Sequence, residues 1–401
     1  MKSILYLSYT GLLEPLGQSQ ILAYLKRLSS DHQFTLVTFE KNSDLADQQK
    51  VKQLKKQCQQ YGIHWLPKKY HNKPRMLATL WDLWVLLYST WSLSHSDKVA
   101  LVHCRSYIPA MAAWLSGKLT GVPFVFDMRA LWLDEMIDAN RLVRNSITHK
   151  ILRWVEQRLL QDSAHIVSLT QAAVGYLAAN DKQLQADKFT VIPTCVDLTR
   201  FTDSKAAISD KTTIGTMGTV IGGWYKLDWF FRTLQLSATV FNKPSFKVIT
   251  KDDHGKLTAM ASDYGLGDIE VASSLPADIQ DNIQNISFAI LYFTPGVSKI
   301  GSAPTRMAEF LACGIPVLAN RGVGDMADLV EQYGIGVVVE DGSEEAITAA
   351  LGKMKALLAD PHYPQCCKRA AVELFSADVG ATKYRAVYQR AFHEKISTCI
   401  V

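Results

Sequence analysis

Cysteine is sparse and unpatterned in this chain: Cys58, Cys104, Cys195, Cys313, Cys366, Cys367 and Cys399 are spread over 401 positions without a C-x-x-C pair. An odd, scattered set argues against a disulfide framework and against a cysteine zinc site, and it suits a reducing compartment. Long uncharged hydrophobic runs are missing too, which excludes an integral membrane protein built on spanning helices. The apolar residues 4–7 after Met1-Lys2-Ser3 are too short for a signal-peptide core and have no small-residue cleavage site behind them, so a cytoplasmic location is expected. No G-x-G-x-x-G trio follows the first strand pattern, which disfavours a nicotinamide dehydrogenase. Neither a D-x-D spacing nor a glycosidase-type carboxylate pair stands out, so no metal and no acid–base pair of that kind is expected. The positive excess is small, +5, and the basic residues do not interleave with aromatics along a stripe, so nucleic acid is not an expected partner.

What the chain does have is a rhythm. Short aliphatic or β-branched runs at 4–7, 34–39, 101–103, 124–126 and 166–169 alternate with amphipathic stretches, and the pattern restarts at 213–215, 246–249, 269–271, 288–291, 317–319 and 336–339. Parallel sheets covered by helices read this way, and the length is that of two domains rather than one. The expected architecture is α/β, two Rossmann-like domains facing a cleft. Residues 1–197 form the first, 198–380 the second, and a helix in 381–401 crosses back to the first. The linker is placed at Val191-Ile192-Pro193-Thr194-Cys195-Val196-Asp197, where an apolar strand meets a proline that cannot donate to a ladder.

Segment 68–93 breaks the globular pattern. Lys68, Lys69, Lys73 and Arg75 precede a leucine-rich helix pattern whose Trp81, Trp84, Tyr88 and Trp91 share one face. A basic head beside an aromatic face suits contact with a membrane surface or a lipid acceptor; a core-facing helix with a solvated basic cap is the plain alternative.

Five segments can carry chemistry or line a site. After the first strand, Ser8 to Gln20 contains Gly17 and Gln18, and a helix starting near Gln18 would aim N–H groups at a phosphate. After the first strand of the second half, Gly215 to Lys226 contains Gly218, whose bare backbone can approach a ligand, Thr219 beside it as a further donor-site candidate, and Lys226, a point charge for a diphosphate. Ser302-Ala303-Pro304-Thr305 leads into a helix bearing Glu309, whose carboxylate can accept from two vicinal ribose hydroxyls. Asp127 and Arg129 end a strand of the first half, where sites of open α/β sheets lie, although a structural salt bridge would use the same residues. His103-Cys104-Arg105-Ser106-Tyr107 can line the acceptor side, with His103 itself read as a core histidine.

The Gly17 loop, VIPTCVD and MAEFLACGIPVLAN together resemble the retaining glycosyltransferases of family 4, which have the GT-B fold, over nearly the whole chain. The linker resembles that family's V-I-P-N-G-V-D-x-x-x-F with Thr194 and Cys195 in place of Asn-Gly, and the helix resembles its E-x7-E segment. The resemblance implies that Glu309 holds the nucleotide ribose, that Lys226 neutralises the donor diphosphate, and that Gly218 approaches the phosphates. It also implies that Arg129 or Asp127 stands where a histidine contacts the transferred sugar. Two positions depart from the family: Gly301 replaces the first glutamate of E-x7-E, and Thr219 replaces an arginine, a charge that Lys299 or Arg306 could supply. The expected activity is retaining transfer from a UDP- or GDP-sugar to a glycan or lipid-linked acceptor at the inner face of the membrane, with no cofactor. A non-hydrolysing nucleotide-sugar epimerase and a degenerate nucleotide-sugar-binding subunit are the rivals.

Overall fold

A computed structural model describes the chain except for residues 97–98, 202–210, 276–277 and 399–401, and the side chains of 75, 96 and 393–398. Cys399 and the side chain of Arg75 therefore lie outside the described residues, and the six described cysteines are free thiols. The chain forms two compact units, one of Met1–Pro193 with the segment from Ala377 onward, the other of Thr194–Ser376.

The first unit carries a seven-stranded parallel sheet in the order β3-β2-β1-β4-β5-β6-β7. Its strands are β1 (Lys2–Ser8), β2 (His32–Glu40), β3 (Ile63–Lys69), β4 (Leu101–Arg105), β5 (Phe124–Met128), β6 (His165–Ser168) and β7 (Phe189–Val191). The second carries six parallel strands in the order β10-β9-β8-β11-β12-β13. These are β8 (Thr213–Met217), β9 (Ser245–Ile249), β10 (Ile269–Ala272), β11 (Phe288–Leu291), β12 (Val317–Asn320) and β13 (Gly336–Val339). Central strands such as β1 and β11 are buried on both faces, so their centres read as unbroken apolar runs rather than alternating ones, while β4 and β5 also bury His103, Arg105 and Asp127. Two strands escaped that pattern. β3 contains Pro67, which is tolerated because β3 is the sheet edge, and β7 is only three residues long.

The divide between the units falls a few residues ahead of the boundaries expected at 197 and 380. Val196 already donates its N–H to Phe375 O at 2.7 Å and bridges Ser376, which ties both crossing strands to the second unit. The Ala377–Thr398 helix is integral to the first unit. Tyr384 Oη donates to Asp127 Oδ2 at 2.9 Å, and Tyr388 Oη lies 2.8 Å from His103 Nδ1, so the buried ends of β4 and β5 find partners on the last helix. Removing the Tyr384 hydroxyl leaves a buried carboxylate one donor short. Tyr384→Phe should therefore lower unfolding free energy by about 1.5–3 kcal/mol in a denaturant titration, with little change in ring packing.

Candidate functional site

In the second sheet β8 lies between β9 and β11, the position where successive connections leave in opposite directions and a crevice opens at the strands' carboxyl ends. The loop after β8 is held there from both sides. Asp252, just past β9, accepts the backbone N–H groups of Val220 at 2.7 Å and Ile221 at 2.9 Å. Burial acts to raise the pKa of that carboxyl, but the two amide donors outweigh it and keep it below the ordinary range. At the loop's other end, Lys226 N–H bonds Tyr292 O at 3.1 Å and Thr294 N–H bonds Trp224 O at 3.0 Å, stitching it to the segment after β11.

Gly218 adopts φ +88°, and a Cβ there would stand 2.6 Å from Arg306 Nη2. The bare backbone thus makes room for a guanidinium. Arg306 Nη2 reaches Thr219 O at 3.4 Å, while its Nη1 is buried without a hydrogen-bond partner. Arg306 rides on the Thr305–Ala312 helix, which Pro304 precedes without a side-chain cap, so the opening amides have no partner inside the helix. Glu309 follows at i+3 on the same side. Burial pushes its carboxyl up to about 7 against the pull of Arg200 and Arg306. Gly314 in the left-handed region (φ +77°) ends the helix, and Pro316 leads into β12, the layout the sequence indicated.

Of the expected donor residues, Gly218, Thr219, Glu309 and the helix start at Thr305 thus gather around Arg306. Ser302, Ala303 and Pro304 form the half-buried approach to it, and Ser302 N–H is taken by Lys299 O at 3.0 Å. Lys226 stands at the head of the Leu227–Val240 helix with its ammonium 3.5 Å from the centre of the Trp229 ring, and the Lys299 ammonium lies over Trp224. Sequence reasoning missed Asp252 and Arg200. Only the Asp252-Asp253 pair at a strand end hinted at the former.

In the first unit, Gly17 is buried where a Cβ would fall 2.1 Å from Gly11 O and 2.8 Å from Leu12 Cα, so its bare backbone lets the first helical turn close on the loop after β1. Gln18 is exposed and opens a π-helical turn, Gln18–Leu22, rather than an α-helix start. The loop itself is held by Glu40 at the end of β2, which accepts from Leu12 N–H at 2.7 Å and Leu13 N–H at 3.0 Å. Asp127 has no exposed surface. Its carboxylate faces Tyr384, His103 at 3.4 Å, Arg129 at 3.5 Å and Arg105 at 4.0 Å. Burial alone would raise the pKa of Asp127, but Arg129, His103 and Arg105 together hold it far below the ordinary range. Burial pushes the pKa of His103 down against the pull of Asp127, and the ring is a core histidine stacked on Tyr6. Asp127 therefore orients the cations around it, and Arg129, whose Nη2 donates to Gln20 Oε1 at 3.2 Å, is the partly accessible member.

Residues 18–195 match the family model described as a Glycosyl transferase 4-like domain. No curated protein matches. Solved structures with this fold include a glycosyltransferase from Rickettsia africae (TM-score 0.67, 14% identity, covering 97% of this chain and 98% of that one). The lipopolysaccharide outer core galactosyltransferase WaaB is similarly related (0.68, 12%, covering 97% and 100%). So is Anabaena HepE in complex with UDP and glucose (0.67, 13%, covering 97% and 100%). Two parallel-sheet Rossmann-like units matching these neighbours establish the GT-B fold.

Glu309 gives a stability signature. Its pKa is raised on folding, so the folded state is favoured most below the ordinary value of 4.5, loses stability as pH climbs toward about 7, and loses no more above that. Glu309→Gln should match the parent near pH 4 and exceed it by roughly 3 kcal/mol near pH 8. Chemical denaturation at the two pH values measures the difference, and equal shifts at both would remove the buried-acid assignment.

Proposed function

We propose that the chain transfers a glycosyl group from a nucleoside diphosphate sugar, UDP- or GDP-linked, to an acceptor hydroxyl with retention, in cell-surface polysaccharide or lipid-linked glycan synthesis. One observation carries the proposal: a guanidinium with an unsatisfied buried Nη1 packed against Gly218, one helical turn before a half-buried carboxyl, at the switch point of the second sheet. A diphosphate suits Arg306 and the uncapped Thr305–Ala312 helix start, and a ribose suits Glu309. The fold neighbour that holds UDP and glucose supports the same ligand class. Arg306 then supplies the cation that Thr219 lacks, and Lys226 adds a second by leaving its aromatic rest.

In this scheme charge grows on the leaving diphosphate, and the cations and amides that face it are worth more in the transition state than in the ground state. The same diphosphate oxygen accepts the acceptor's proton on the face it leaves, so no protein nucleophile and no cofactor is required. Arg306→Ala and Lys226→Ala should each reduce turnover by about a hundredfold. Nucleotide release from labelled UDP- and GDP-sugars, with and without glycan or lipid-linked acceptors, reads this directly. Isomerised sugar without acceptor would favour an epimerase, and tight binding without release would favour a degenerate subunit. Because the hydroxyls of ribose need an ionised acceptor, UDP affinity relative to Glu309→Gln should rise as pH passes upward through about 7.

The acceptor side of the proposal includes a lipid surface. Among the described residues no helix is long and apolar enough to cross a membrane. The Arg75–Ser96 helix nonetheless turns most of its large apolar residues outward: Ala78, Asp82, Leu86, Ser89, Thr90 and Ser94 are buried, whereas Leu80, Trp81, Trp84, Tyr88 and Trp91 are 41–56% exposed. Water-facing aromatics of this kind, stacked ring on ring beside exposed Lys69 and Lys73, suit the interface of an anionic leaflet. Trp81→Ala with Trp84→Ala should reduce co-sedimentation with phosphatidylglycerol vesicles about tenfold or more, and wild-type indifference to such vesicles would remove this part of the proposal.

A further inference from the structure

The first sheet has its own switch point, between β1 and β4, and a pocket of about 180 Å³ lies there. Its walls include Tyr9, Thr10, Arg105, Ser106, Tyr107 and Trp132, and no acidic side chain. That volume suits a small polar group, about six waters' worth, and is too small for a whole nucleotide sugar.

Three features of the pocket favour an anion, and each has a separate origin. Arg105 is only 6% exposed, and its Nη1 is buried without a hydrogen-bond partner. Its nearest carboxylate oxygen, Asp127 Oδ2, stands at 4.0 Å, beyond hydrogen-bond reach, and Asp127 is already shared with Arg129, His103 and Tyr384. Two buried guanidiniums therefore face one carboxylate, leaving one positive charge over. The Tyr107–Thr120 helix begins at this wall, and Ser106 supplies no side-chain cap, so the N–H groups of Tyr107 and Ile108 have no partner within the helix. Ser106 itself sits at φ 76°, ψ −180°, a conformation nearly reserved for glycine, held by its N–H bond to Asp127 O at 2.8 Å. Strain of that kind persists where the surroundings over-determine it and recurs at ligand clamps.

We propose that this pocket seats a phosphate ester carried by the acceptor, gripped by the Arg105 guanidinium and by the amides that open the Tyr107–Thr120 helix. The assignment rests on the glycosyl-transfer reading, since it names what the acceptor must carry beside its reacting hydroxyl. Arginine's planar fork and the helix amides together satisfy several oxygens of a tetrahedral phosphate. Tyr9 links the pocket to the aromatic helix: its hydroxyl donates to Asp82 at 2.9 Å, and Asp82 also holds His71 N–H at 3.1 Å. A phosphate bound here would be read on the same scaffold that presents the aromatic row.

The test uses the full chain and calorimetry with inorganic phosphate, glycerol 3-phosphate, phosphatidic acid in phosphatidylcholine vesicles, and UDP as separate probes. Saturable binding of the soluble phosphates, or of phosphatidic acid above the neutral vesicle baseline, supports the proposal and tells a soluble ester from a lipid headgroup. No binding of any of the three by the wild-type protein overturns it, whatever the variants do. Arg105→Gln should weaken the phosphate probes about tenfold or more, with Arg105→Lys between the two. Thr10→Glu, which leaves the buried ion cluster intact, should abolish their binding by repulsion. UDP affinity should be unchanged in all three variants; if it falls in step with phosphate, the anion belongs to the donor and the acceptor assignment is overturned. Failure of the donor proposal shows separately, as absent UDP binding in the wild-type chain.

Discussion

Both units depend on the same arrangement: a carboxylate from the neighbouring strand's end accepts two consecutive backbone N–H groups of the loop that follows the unit's first strand. Glu40 does this for Leu12 and Leu13, and Asp252 for Val220 and Ile221. A loop at the carboxyl edge of a parallel sheet leaves its amides without ladder partners, and orphaned amides are costly unless something accepts them. A carboxyl group with two oxygens answers two at once and fixes the loop's path. The rest of each crevice is built against that fixed path.

With the loop in place, each switch point holds a cation whose charge is not fully answered. In the second unit it is Arg306, admitted by the missing side chain of Gly218; in the first it is Arg105, left over beside Asp127. A buried guanidinium with an idle nitrogen is unfavourable by itself, and Arg105, Arg129 and Arg306 each carry one. In the first unit the returning Ala377–Thr398 helix supplies the hydroxyls of Tyr384 to Asp127 and of Tyr388 to His103. The chain's last segment thus contributes to the site without carrying any residue the motifs would single out.

The aromatic helix follows a different logic. Its buried face is made of Ala78, Asp82, Leu86, Ser89, Thr90 and Ser94, and its exposed face of tryptophan, tyrosine, methionine and leucine. Burial drives apolar side chains inward when water is the only outer solvent. On this helix the stacked aromatic row faces outward instead, with Trp81, Trp84, Tyr88 and Trp91 exposed.

Period and punctuation determined much of this protein from sequence alone: the parallel strands with buried faces, the helix ended by Gly314, the glycine loop of the second half, and the odd composition of 68–93. These are local signals, written by backbone stereochemistry and burial into residues a few positions apart. Only the tertiary structure decided that Arg306 packs against Gly218 and reaches Thr219 O, that Asp127 lies buried among Arg129, His103, Arg105 and Tyr384, that Gly17 serves loop packing, and that Arg105 borders a pocket. Each of those outcomes depends on which strand ends lie side by side and on how one carboxylate's charge is divided among several cations. Such pairings join residues tens to hundreds of positions apart, as Asp127 and Tyr384 show, and no periodicity along the chain records them.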